Sequence, residues 1–154
     1  MITGNMARDN WYQPGALLTD SSYQADIEGA DDFTTGFTAG TLITKNAKNL
    51  QISYTPPVDA IALVSMAVMW KVSADGLNPA FYILQNATQV AYWADAPGVK
   101  ATWYSATLTA ASLAMAANTA YTFYGYCINP TANILTIAND LPYTKLYLMV
   151  WRHP

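Results

Sequence analysis

The residues YTKLYLMVWR at 143–152 decide how this chain is read. Side chains alternate across a β-strand, so the run divides into two faces. Thr144, Leu146, Leu148 and Val150 make an ordinary core face. Tyr143, Lys145, Tyr147, Met149 and Trp151 make the other, where a solvated face would carry more charge and less aromatic area. The run AIALVSMAVMWKV at 60–72 behaves similarly. Ala62, Val64, Met66, Val68 and Trp70 oppose Ile61, Leu63, Ser65, Ala67, Met69 and Lys71, and both sets are apolar. Two readings of the second face stand side by side. Either the chain's own N-terminal segment or loops cover it, or it is a subunit interface. Aromatic residues and methionine are enriched at interfaces. Tyr143, Tyr147, Met149, Trp151 and Trp70 are therefore the expected contact residues.

The composition favours the interface. Of 154 residues, 53% are hydrophobic and only 11% are charged, whereas soluble domains carry about 25% charged residues. Burial against partners would account for part of the missing charge. Net charge is −3, and the seven Lys and Arg residues are scattered. No basic cluster could track a phosphate backbone, which argues against nucleic acid as a partner. The longest apolar run, 61–70, contains Ser65 and is too short to span a bilayer. Residues 1–9 lack the charged-then-apolar pattern of an export signal, so the expected place of synthesis is the cytoplasm.

Working outward from these two runs, residues 41–154 divide into short β-like stretches between turn signals. The strands expected are 49–55, 60–72, 81–85, 89–93, 100–109, 119–128, 133–138 and 143–152. Pro56-Pro57, Asp75-Gly76, Asn78-Pro79, Asn86-Ala87, Pro97, Asn129-Pro130 and residues 139–142 separate them. Residues 110–117 are rich in alanine, which favours helix, and read as a loop or a short helical turn. The expected fold is all-β, a jelly-roll-like antiparallel β-sandwich of about eight strands at 41–154. No long amphipathic helix intervenes to make βαβ units.

Residues 1–40 differ from the rest. Five of the ten acidic residues fall within 20–32, with Gly and Pro punctuation and no sustained apolar period. This predicts an extended N-terminal arm. Trp11, Tyr12, Leu17, Leu18, Phe33 and Phe37 are its expected anchors onto a neighbour.

Residues 113–128, LAMAANTAYTFYGYCI, followed by a short strand and TKLYLMVWR, resemble the end of trimeric jelly-roll domains in tailed-phage structural proteins. These are broadly similar to tumour-necrosis-factor-like trimers. The small-residue turn Ala117-Asn118-Thr119 leads into the aromatic strand at 121–126. The resemblance spans roughly residues 50–152 and rests on a strand pattern, with no catalytic motif. It implies a homotrimer with its final strand near the threefold axis, located in the virion. The arm suits a capsid decoration (cement) protein that binds the major capsid protein or another virion protein. A phage tail or fibre module that binds a carbohydrate receptor is the alternative. The arm has neither a collagen-like Gly repeat nor a coiled-coil heptad, which weakens a fibre assignment.

The residues available for chemistry are few, and no catalytic activity and no cofactor are expected. His153 is the only histidine and Cys127 the only cysteine. Metal sites of the Cys/His type are excluded by count, and Cys127 reads as a small buried hydrophobe. Asp26, Glu28, Asp31 and Asp32 lack the spacing of a calcium loop and read as solvation of the arm. One Glu and no evident carboxylate pair give no glycosidase signature. No phosphate loop or nucleophile elbow is present. Asn86-Ala87-Thr88 fits a glycosylation sequon but reads as a hairpin turn. Trp93, Trp103 and Tyr104 could form a sugar-stacking platform or simply pack inward.

Overall fold

In a computed structural model, residues 17–19, 24–26, 33–45, 48–94, 98–138 and 144–153 are described. They form strands and loops, with no helix among them. Six short strands come first: β1 (Leu17–Thr19), β2 (Gln24–Asp26), β3 (Phe33–Thr35), β4 (Thr38–Leu42), β5 (Thr44–Lys45) and β6 (Lys48–Asn49). Eight further strands follow: β7 (Gln51–Tyr54), β8 (Ala60–Val72), β9 (Ala80–Gln85), β10 (Thr88–Ala94), β11 (Tyr104–Met115), β12 (Tyr121–Asn129), β13 (Leu135–Ile137) and β14 (Lys145–Arg152). These eight correspond one to one with the strands expected from the sequence.

Two antiparallel sheets face each other as a sandwich, as expected. The seven-stranded sheet runs β1-β14-β8-β13-β3, with β11 also on β8 and β2 also on β14. The five-stranded sheet runs β10-β9-β12-β4, with β7 also on β12. Strands β5 and β6 pair separately as a small hairpin.

Strand β8 is the spine of the larger sheet. Its strict period-2 pattern buries Ala62, Val64, Met66, Val68 and Trp70 and leaves the alternate positions half-buried. Strand β14 continues the same division, with Leu146, Leu148 and Val150 at 0% exposure. These residues pack with Ile52, Phe81, Ile83, Phe123 and Cys127 of the opposite sheet in one core. Deep burial drives the Cys127 thiol up to about 12, which keeps it protonated and unreactive.

The alanine-rich reading of 110–117 requires correction. Strand β11 continues through it to Met115, paired with β8 as far as Ala60. The register shifts between Ala110 and Leu113, and Ser112 adopts φ +57°. A bulge of this kind inserts extra residue length without ending the strand. Ladder pairing with β8 therefore overrides alanine's helix propensity.

Gly125 of β12 faces the core with no room for a side chain. A Cβ there would sit 2.6 Å from Leu50 Cδ2 and 3.1 Å from Leu50 Cγ, and would also press on the Met66 sulfur. Gly125→Ala should therefore overpack the core at a cost of about 1–3 kcal/mol. For a domain of this size that is a drop of several degrees in thermal midpoint. Differential scanning calorimetry checks this, and an unchanged midpoint would mean that Leu50 and Met66 yield freely.

Candidate functional site

The outward face of the seven-stranded sheet carries the half-buried alternate positions of β8 and β14. Strand register sets its rows. Trp151 pairs with Ile61, Met149 with Leu63, Tyr147 with Ser65 and Lys145 with Ala67. Strand β11 adds Thr109 opposite Ser65 and Thr107 opposite Ala67. The face is apolar where β8 and β14 meet and carries hydroxyls towards β11. Two of those hydroxyls are engaged with each other: Thr109 Oγ1 donates to Ser65 Oγ at 2.9 Å.

Lys71 and Lys145 stand on this face, and strand register sets Asp26 of β2 opposite Lys145. Lys71 Nζ lies 4.3 Å from the centre of the Trp103 ring. Lys145 Nζ lies 4.9 Å from the Tyr147 ring. Both ammonium groups are thus held on aromatic faces, and their methylene stems extend the apolar cover. The face can bury area against a partner, and its described side chains include no group arranged for acid, base or nucleophilic work.

The expected contact residues do not all fall on it. Tyr147, Met149 and Trp151 do, each half-buried. Tyr143 lies outside the described residues. Trp70 is corrected: it is 1% exposed and points into the core. Its ring stacks on Tyr104 at 4.8 Å and meets Trp93 edge-on at 6.1 Å. Phe81 completes the cluster at 6.2 Å. Trp70 therefore presents no surface to a partner. The same cluster draws Trp93 and Tyr104 inward, so these two and Trp103 do not form a sugar platform. Sequence reasoning missed Ile61, Leu63 and Met69 as contact candidates, although their alternation in β8 marks them.

Of the expected arm anchors, Trp11 and Tyr12 lie outside the described residues. Leu17 stands opposite Trp151 in the β1–β14 register. Leu18 is 7% exposed and belongs to the core, and Phe33 packs against that core. Phe37 is 69% exposed. Strands β1 and β2 lie on β14, β3 on β13 and β4 on β12. The described parts of residues 1–40 thus pair with sheets of their own chain.

One end of the sandwich carries a recess of about 420 Å³ lined by Pro57, Val58, Asp59, Ala117, Arg152 and His153. A neighbouring one of about 300 Å³ shares Asp59 and His153. Asp59 has structural work there. Its Oδ1 accepts the Ala117 N–H at 2.9 Å, and its carbonyl accepts the His153 N–H at 2.9 Å. No serine, threonine or cysteine lines either recess, so His153 has no nucleophile to activate there. Among the described residues, no three His, Cys, Asp or Glu side chains converge as a metal site, and no helix is long and apolar enough to cross a membrane. Asn86 turns the β9–β10 hairpin with φ +54°, and its Oδ1 accepts the Thr122 N–H at 2.9 Å.

No family model matches the sequence, and no curated protein matches it. Among solved structures, the chain has a weak similarity to one described as "Structure of infectious bursal disease virus Gx strain". The TM-score is 0.41 with 13% identity, over 84% of this chain and 37% of that one. The chain thus spans little more than a third of that protein. A second weak similarity is to "Family 16 Carbohydrate Binding Module-2", with a TM-score of 0.35 and 12% identity. It covers 89% of this chain and 87% of that one.

Proposed function

We propose that this chain is a non-catalytic viral structural subunit. It assembles as a homotrimer through the outward face of the seven-stranded sheet and decorates a capsid, binding the major capsid protein or another virion protein. The carrying observation is the composition of that face. Ile61, Leu63, Met69, Tyr147, Met149 and Trp151 stand on adjacent strands, and both lysines among them are folded over aromatic rings. A sheet face left permanently in water would carry more charge. The threefold symmetry comes from the sequence resemblance, which puts the final strand near the axis, and β14 lies at the centre of this face. Capsid attachment rests on the same resemblance.

Native mass spectrometry of the full chain tests the assembly step. A trimer at micromolar concentration is expected, and a stable monomer would overturn the reading. Locating the chain in intact particles tests the second step. Labelling on the capsid shell supports decoration, while labelling at the tail tip replaces it with a receptor-binding role.

A further inference from the structure

The opposite, five-stranded sheet has an outward face of different chemistry. Strand register places Tyr92 of β10 beside Tyr82 of β9, and Tyr82 beside Tyr126 of β12. Leu42 of β4 ends the row beside Tyr126. Tyr82 and Tyr126 stack with centroids 5.2 Å apart at 27°. Tyr124 meets Tyr126 edge-on at 6.4 Å and 81°. The Tyr82 hydroxyl lies directly over Gly40, where any Cβ would collide with it. Burial, with Tyr126 and then Cys127 adding to it, pushes the Tyr82 phenol up, so it remains a neutral O–H donor. Tyr92 is 54% exposed.

The rim of this strip is polar but uncharged. Gln51 and Ser53 of β7 stand opposite Tyr124 and Thr122. Ser53 and Thr122 share a hydroxyl hydrogen bond of 2.9 Å. Gln89 of β10 is exposed beside the row, opposite Leu84. No outward position on the five strands holds an acidic or basic residue. The surface therefore offers aromatic rings, hydroxyls and amides without any charge.

We infer that this face is a binding site for a neutral glycan chain, lying along the Tyr92–Tyr82–Tyr126 row. A pyranose presents an apolar C–H face and an equatorial belt of hydroxyls. The ring surfaces fit the first, and the phenol, amide and hydroxyl groups fit the second. A phosphorylated or acidic ligand would find no cation here. Strands are about 4.8 Å apart, so the row from β10 to β4 extends over about 14 Å, the reach of a short oligosaccharide. The pre-stacked tyrosines lose little freedom on binding. The site uses the sheet that the proposed trimer contact does not, so the two readings stand or fall separately.

The test is affinity electrophoresis of the full chain through gels containing soluble glucan, galactan or mannan, followed by titration calorimetry with matching oligosaccharides. Retardation by at least one neutral polymer is expected, with little change between low and high salt. Tyr82→Ala with Tyr126→Ala should weaken binding by roughly tenfold or more. Tyr92→Ala, at an exposed position, should weaken it while leaving the circular dichroism spectrum unchanged, which guards against misfolding. No retardation by any of the neutral polymers overturns the inference. So does binding confined to acidic polysaccharides and abolished by salt, binding that survives Tyr92→Ala and the double variant alike, or saturation of this face by a protein partner alone.

Discussion

Leu148→Asp is expected to unfold the subunit. Leu148 is 0% exposed and pairs across to Val64, itself 0% exposed, in the middle of β14. Removing a buried leucine costs about 2–5 kcal/mol in transfer and cavity terms. An ionised carboxylate without a partner adds several kcal/mol more. Together these approach the whole stability of a typical domain, about 5–15 kcal/mol. The introduced carboxyl would escape part of that cost by remaining protonated in the folded state. Its folded pKa would then lie above its unfolded value, so the native form would bind more protons. Stability would fall as pH rises through that interval and partly recover in acid. The measurement is far-ultraviolet circular dichroism with thermal unfolding at neutral and mildly acidic pH. A cooperative, folded variant at neutral pH would mean that the two faces of β14 are reversed.

That assignment was legible because β8 keeps a strict alternation over its whole length and β14 keeps it from Lys145 to Trp151. With a period of 2, a single correct position fixes every other side chain on the strand. The same rule placed Trp70 with Val64 and Met66. Its size and aromatic character nevertheless suggested an interface, and only the ring contacts with Tyr104 and Trp93 show it as a core residue. Strand β11 was partly hidden because alanine's local preference opposes a pairing made with a distant strand. The short strands before residue 41 have weak patterns of their own. They exist through pairing with β12, β13 and β14, which lie far along the chain. The tyrosine strip was illegible for a related reason. Tyr82, Tyr92 and Tyr126 become neighbours only through the registers of β9 with β10 and β12. Nothing local in their sequence surroundings marks them as a group.

Tyr147→Ser combined with Met149→Asp is expected to split the oligomer and leave the fold intact. Both residues lie on the outward face of β14, and each is half-buried within the single chain. Neither belongs to the buried core set. Each large side chain buried at a contact contributes roughly 1.5–3 kcal/mol by area. Losing both at every contact would weaken association by roughly two to four orders of magnitude, and a carboxylate trapped without a partner adds to this. Lys145 bears on the outcome, because its ammonium rests on the Tyr147 ring. Removing that ring frees a positive charge on the face, a further obstacle to burial. Within the isolated subunit the two residues stand opposite Ser65 and Leu63 and outside the core, so unfolding should shift by only a few degrees. Oligomeric mass and thermal unfolding of this variant and of Leu148→Asp should be measured side by side. A folded monomer from the double variant, with an unfolded chain from Leu148→Asp, is the expected pair. If the double variant keeps its oligomeric mass, this face is not the contact. The low charge content would then have to be explained by burial of some other surface.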